Sequence, residues 1–172
     1  DEVCECQESS PLDPGYIGRY SDLAAFDGQA WVSGYAETYG DLVVGHGLPD
    51  QPLSWSWVDG VPLEDEVVAS PSGPRGGIDA LGEDVGAYTS IAVGAGGVVH
   101  VAYFDLDQTR LKYAIGQPDE DAGIRWRSYS LDEMAGWWPD LVLDPRGRPT
   151  IIYRALGETR EEMDEEGVLH SF

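Results

Sequence analysis

Aromatic, hydroxyl and carboxylate side chains recur at matched positions along this chain: Tyr20, Tyr88 and Trp138, then Ser21, Thr89 and Pro139, then Asp22, Ser90 and Asp140, with Arg19 and Trp137 alongside. Aromatic faces beside carboxylates and hydroxyls combine stacking area with oriented hydrogen bonds, which is what a sugar or peptide-like ligand needs. Asp22 and Asp140 also form a carboxylate pair of the type used in glycoside hydrolysis. An aromatic stands at this position in every copy, so packing between repeats competes with binding for Tyr20, Tyr88 and Trp138. Arg19 and Trp137 do not repeat and are the more diagnostic members.

Other chemistry is sparse. Asp105 and Asp107, in Asp105-Leu106-Asp107, are candidate calcium ligands, as are the six carboxylates of ALGETREEMDEEG (155–167), because calcium takes six to eight oxygens. The alternation of an EF-hand loop is missing there, and a turn brace and a solvated acidic loop account for the two segments. His100 stands mid-strand in a repeat and reads as a hydrogen-bonded structural imidazole, and His46 and His170 share no metal-ligand spacing with it. No Gly-x-Ser-x-Gly elbow, His-Glu-x-x-His or Walker loop is present, so the expectation is no cofactor, with calcium the one ion left open. Cys4 and Cys6 are too close in sequence to staple a fold or to complete a zinc site alone.

These residues are positioned by a segment that occurs three times without a gap: Gly18 to Tyr35, Gly86 to Tyr103 and Gly136 to Tyr153. Each copy places a short apolar run, a turn rich in Asp, Gly and Pro, and a second β-rich run ending in tyrosine, which is hairpin chemistry. A third strand is expected at Asp41 to Val44, Arg110 to Ile115 and Val168 to Phe172, and a fourth at Leu53 to Val58 and Ile124 to Leu131. Four antiparallel strands per repeat make the blade of a β-propeller. The expected fold is therefore all-β, with helix confined to Leu131 to Gly136 and Glu158 to Glu166. Tyr35, Tyr103 and Tyr153 are expected to be buried at equivalent places, because a repeat solves one packing problem each time.

The best copy, Gly97-Val98-Val99-His100-Val101-Ala102-Tyr103 with Leu111-Lys112-Tyr113-Ala114, resembles the propeller repeats of secreted bacterial proteins. The resemblance covers about residues 16 to 172 and implies a blade rather than an activity. Sialidase-like propellers are similar in architecture, but their Ser-x-Asp-x-Gly-x-Thr-Trp turn box is absent.

The organisation that follows is a tether (1–15), a first blade (16–59), an inserted connector (60–84), a second blade (85–132) and a third (133–172) that lacks its fourth strand. Closed propellers need at least four blades. The expected partner is accordingly a second polypeptide that completes the propeller, or self-association of the chain. The connector, the acidic segment and the starts of the first strands all fall on one end of such blades, the expected mouth face.

A net charge of −22 with ten basic residues among 172 excludes a phosphate-binding surface, so no nucleic-acid partner is expected. No apolar run approaches the ~18–20 residues that cross a bilayer. The polar opening DEVCECQESSPLDPG reads as a surface tether, and the composition suits a secreted or cell-surface protein. Two functions stand side by side: a binding or scaffold module, and a propeller enzyme acting on carbohydrate through mouth-face carboxylates.

Overall fold

Asp27 and Gly28 close the first hairpin in two residues, both at positive φ (50° and 73°), as a two-residue turn between twisted strands requires. They join β1 (Ile17–Phe26) to β2 (Gln29–Ala36), and β3 (Asp41–Gly47) and β4 (Ser54–Asp59) complete an antiparallel sheet in the order β1-β2-β3-β4. The meander is repeated by β5 (Val85–Val93), β6 (Val99–Asp105), β7 (Arg110–Asp119) and β8 (Gly123–Glu133), and is begun again by β9 (Ala135–Leu143) and β10 (Pro149–Ala155). This computed structural model describes residues 10–120, 123–155, 161–163 and 169–171. Regular structure among them is β, apart from short 3-10 turns at Pro74–Gly77 and Ala95–Gly97.

The sheets pack face to face, with β5 lying between β1 and β9. Trp31, Leu42 and Val44 of the first sheet meet Ile91, Val99, Val101 and Tyr103 of the second, and this seam is the core. Fully burying an aliphatic side chain contributes about 1.5–3 kcal/mol, so the seam outweighs any single polar contact. Successive antiparallel meanders packed in this way are propeller-like, and the described sheets do not close a ring.

The glycine opening each repeat sets how closely the sheets approach. A Cβ on Gly86 would lie 2.7 Å from Leu42 Cα, and one on Gly136 would lie 2.6 Å from Leu111 Cα. Gly18 shares their positive φ but has nothing within 4 Å of that position. Gly18→Ala should therefore cost only backbone strain, about 1–3 kcal/mol, whereas Gly86→Ala should cost about 2 kcal/mol more through the forced shift of the neighbouring backbone. Urea midpoints of the two variants measure the difference, and equal losses would mean the sheets are not in this contact.

The register of the first hairpin corrects the equivalence of the three tyrosines. Ala25 pairs with Ala30 across the two-residue turn, whereas Val93 pairs with Val99 and Leu143 with Pro149 across five-residue loops. β2 is consequently slipped by one residue, which exchanges its two faces. Tyr35 pairs with Leu42 as Phe104 pairs with Leu111, so Tyr35 corresponds to Phe104 and Arg154, and Gly34 corresponds to Tyr103 and Tyr153. Tyr35 and Tyr103 are buried, as expected, but Tyr153 is 36% exposed, because among the described residues β9 and β10 form a sheet of two strands.

Among the described residues the expected helices are not found. Leu131–Glu133 finish β8 and Ala135 starts β9, with the chain reversing at left-handed Met134 (φ 52°). Glu161–Met163 is a strand, β11, paired antiparallel with β12 (Leu169–Ser171). The third strand expected at Val168 to Phe172 is thus bonded to the acidic segment rather than to β10. Part of the expected tether is docked, since Tyr39 donates to the Asp13 carbonyl at 2.8 Å and the Tyr16 N–H donates to Thr38 Oγ1 at 2.9 Å. Cys4, Cys6, the His170 side chain and most of 155–167 lie outside the described residues.

Candidate functional site

Tyr20, Tyr88 and Trp138 are all left-handed, with φ of 54°, 54° and 50°, and each stands two residues after a glycine at φ of 99–113°. The register is broken at the same places in all three sheets. A positive φ is rare for an aromatic residue and costs about 1–3 kcal/mol, so three copies of it mark a strand bulge built for a purpose. Its effect is to bring the three rings together along the edge strands. The centroids of Tyr20 and Tyr88 are 4.4 Å apart, and those of Tyr88 and Trp138 are 5.3 Å apart.

The ladder has a guanidinium at each end. Arg19 lies 4.9 Å from the Tyr20 centroid and Arg154 lies 5.6 Å from that of Trp138. Arg19 is also paired with Glu37 at 2.7 Å. Behind the rungs stand Tyr35, 6.0 Å from Tyr20, and Phe104, 6.2 Å from Tyr88, the positions matched by the corrected register. Burial and the neighbouring Tyr20 push the Tyr88 phenol up, so at neutral pH it remains a hydrogen-bond donor. Trp138 is 56% exposed, giving the ladder one open aromatic face. Trp137 instead packs on Phe104 at 4.5 Å and supports the ladder from the side.

Asp22 does not stand ready for acid or base chemistry. Its Oδ2 accepts the Ile91 N–H at 2.9 Å and the Ser90 hydroxyl at 3.2 Å. Ser90 Oγ in turn accepts the Leu141 N–H at 3.1 Å, so the same position supports the next first strand in both seams. Thr89 donates to the Tyr20 carbonyl and accepts from Ser33, each at 2.8 Å. Asp140, the third member of this series, is exposed and makes no such contact among the described residues.

Asp105 and Asp107, two of the calcium candidates, are engaged within the protein. Asp105 is paired with Arg110 at 2.8 Å and accepts the Gln108 N–H, and Asp107 accepts the Asp84 N–H at 2.9 Å. Among the described residues, no three His, Cys, Asp or Glu side chains are grouped to hold a metal. His100 is buried and 2.6 Å from the Tyr113 hydroxyl, and burial lowers its pKa, in keeping with a structural imidazole.

No family model and no curated protein matches this chain. Among solved structures, a bifunctional GH43-CE protein of Bacteroides eggerthii superposes with a TM-score of 0.45 at 10% identity. The match covers 90% of this chain and 20% of that one, so the chain spans about a fifth of that protein's length.

The insertion holds the residues that sequence reasoning missed. Arg75 is buried there against Asp41, and Tyr35 donates to Asp84 at its end. Below it a cleft is lined by Trp57, Val61, Leu81, Glu83 and Trp126. One end of the ladder was missed as well: Arg154 carries no repeat signal, and its place beside Trp138 is set by the register of β9 and β10.

Proposed function

We propose that the sheets are blades of a β-propeller, and that this propeller is a secreted or surface-attached module that binds saccharide through the ladder Tyr20, Tyr88 and Trp138. The observation carrying this reading is the left-handed aromatic repeated at one position of three sheets. Trp138, at the end of the ladder, is 56% exposed and presents the aromatic face that a ligand would meet. A sugar ring lays its C–H face on such an aromatic, and the tyrosine hydroxyls, Arg19 and Arg154 offer donors to its oxygens. The commitment of Asp22 to the Ile91 N–H favours binding over carboxylate catalysis. The acidic, polar composition of the chain suits the extracellular setting.

Tryptophan fluorescence titrations with soluble neutral xylo-, cello- and chito-oligosaccharides test the proposal. At least one series should bind, and Trp138→Ala should weaken it tenfold or more with an unchanged unfolding midpoint. Arg19→Ala should weaken it less, since that guanidinium is also held by Glu37. If no series binds, or if Trp138→Ala binds as well as the parent protein, the ladder is not a saccharide site.

A further inference from the structure

The seam between adjacent sheets has the same construction twice, and both of its halves are bare at the ends of the stack. On the receiving side, Ile91 and Leu141 are 5% and 4% exposed, and each N–H donates to the preceding sheet, at Asp22 and Ser90 respectively. Leu23 is their counterpart in the first sheet, where it is 65% exposed and its N–H turns back to its own Asp22 at 2.8 Å. On the giving side, Asp22 and Ser90 are occupied and Asp140 is exposed. Beside Asp140, Val142 and Ile152 are 56% and 70% exposed, although the counterpart of Ile152 in the second sheet, Ala102, is fully buried.

The extents of the two bare areas also agree. The outer strand of the first sheet, at Trp55 and Trp57, has Pro14, Val61, Pro74 and Arg75 lying beside it, while Leu23 of β1 is exposed and its partner Val32 of β2 is part exposed. Among the described residues the third sheet consists of β9 and β10. We propose that these areas are the two halves of one interface, so that a second copy of this chain docks head to tail, with β9 and β10 of one copy against β1 and β2 of the next. Asp140 then accepts the Leu23 N–H of the neighbouring copy, and Val142 and Ile152 cover its Leu23. The inference rests on reading the sheets as repeats of one propeller. Continuity with a seam already formed twice in the chain selects a second copy over an unrelated partner, because one chain carries both halves. A contact of this kind is heterologous and propagates to a ring or a filament.

Sedimentation velocity on the 172-residue chain over a wide concentration range tests this. The parent chain should associate reversibly, while Asp140→Arg, which blocks the tail, and Leu23→Asp, which blocks the head, should each sediment as 18.7 kDa monomers. Both positions are exposed, so both variants should keep the parent circular dichroism and unfolding midpoint. An equimolar mixture of the two should form a species of twice that mass and no larger, since one intact head and one intact tail remain. A monomeric parent, a variant that dimerises alone, or a mixture that stays monomeric would each overturn the proposal. The oligosaccharide titrations repeated on the Leu23→Asp monomer separate its fate from that of the binding site: saccharide binding by a monomeric parent overturns only the assembly, and association without binding overturns only the ladder.

Discussion

Replacing Tyr103 by alanine should lower the free energy of unfolding by about 3–5 kcal/mol, as for other large buried aromatics. Its ring is fully buried in the seam that joins the first two sheets, and the cavity left behind would lie between two sheets that hold each other in place. Its hydroxyl donates to Asp59 Oδ2 at 2.6 Å, and Lys112 Nζ lies 2.5 Å from the same oxygen. Burial and that carboxylate hold the phenol well above its ordinary range, so the hydrogen bond persists through alkaline conditions. Tyr103→Phe keeps the ring and loses one hydrogen bond, for which about 1 kcal/mol is expected, with Asp59 still held by Lys112. Tyr153 donates to Asp132 at 2.8 Å in the same relation to the second sheet. Its ring is part exposed, so Tyr153→Ala should cost no more than about 1 kcal/mol. Chemical denaturation of the three variants gives the order directly. An unchanged midpoint for Tyr103→Ala would refute the seam, and a Tyr153→Ala loss as large as that of Tyr103→Ala would mean that the third sheet is as deeply packed as the second.

Most of the strands were legible because their signals are local. Alternating apolar residues between Asp-Gly, Ala-Gly-Gly and Pro-Arg-Gly turns specify hairpins wherever they occur. Pairing across a hairpin is less local. One residue fewer between the equivalent pairs, Ala25 with Ala30 against Val93 with Val99, slips β2 relative to β1, yet leaves the sequence alignment without a gap, so Tyr35 was matched to Tyr103 on identity alone. The ladder was legible as a set of residue types and illegible as geometry. A left-handed tyrosine is not written in its own side chain; it is imposed by the glycine two residues earlier and by the neighbouring sheet. Trp137 drew attention as a residue that does not repeat, and its ring packs on Phe104 rather than joining the ladder. The insertion was read as loop because no periodicity marks it, although Arg75 is the one basic residue among its acidic ones, a signal that a buried partner exists.

Arg75→Met should destabilise the protein by about 3–5 kcal/mol at neutral pH, because it removes one member of a buried ion pair and strands the other. The guanidinium and the Asp41 carboxylate are both fully buried, 2.6 Å apart at Nε and Oδ2. The same guanidinium donates from Nη1 to the Ile78 carbonyl at 2.5 Å and the Ala80 carbonyl at 3.0 Å, and lies 4.2 Å from the Tyr39 ring centroid. These contacts fasten the insertion to the turn between β2 and β3, so limited proteolysis should cut the variant within Gly60–Asp84 before any strand is lost. Burial raises the Asp41 carboxyl above its ordinary value and Arg75 opposes that rise. Without Arg75 the rise is unopposed, and a carboxyl with a raised folded pKa contributes stability that is present when it is protonated and lost as pH increases. The deficit of Arg75→Met relative to the parent should therefore be smaller near pH 4–5 than near pH 7–8, and Asp41→Asn in the same chain should remove this pH dependence and recover part of the loss. A variant with the parent midpoint at pH 7, or a deficit that grows on acidification, would show that the pair is not what anchors the insertion.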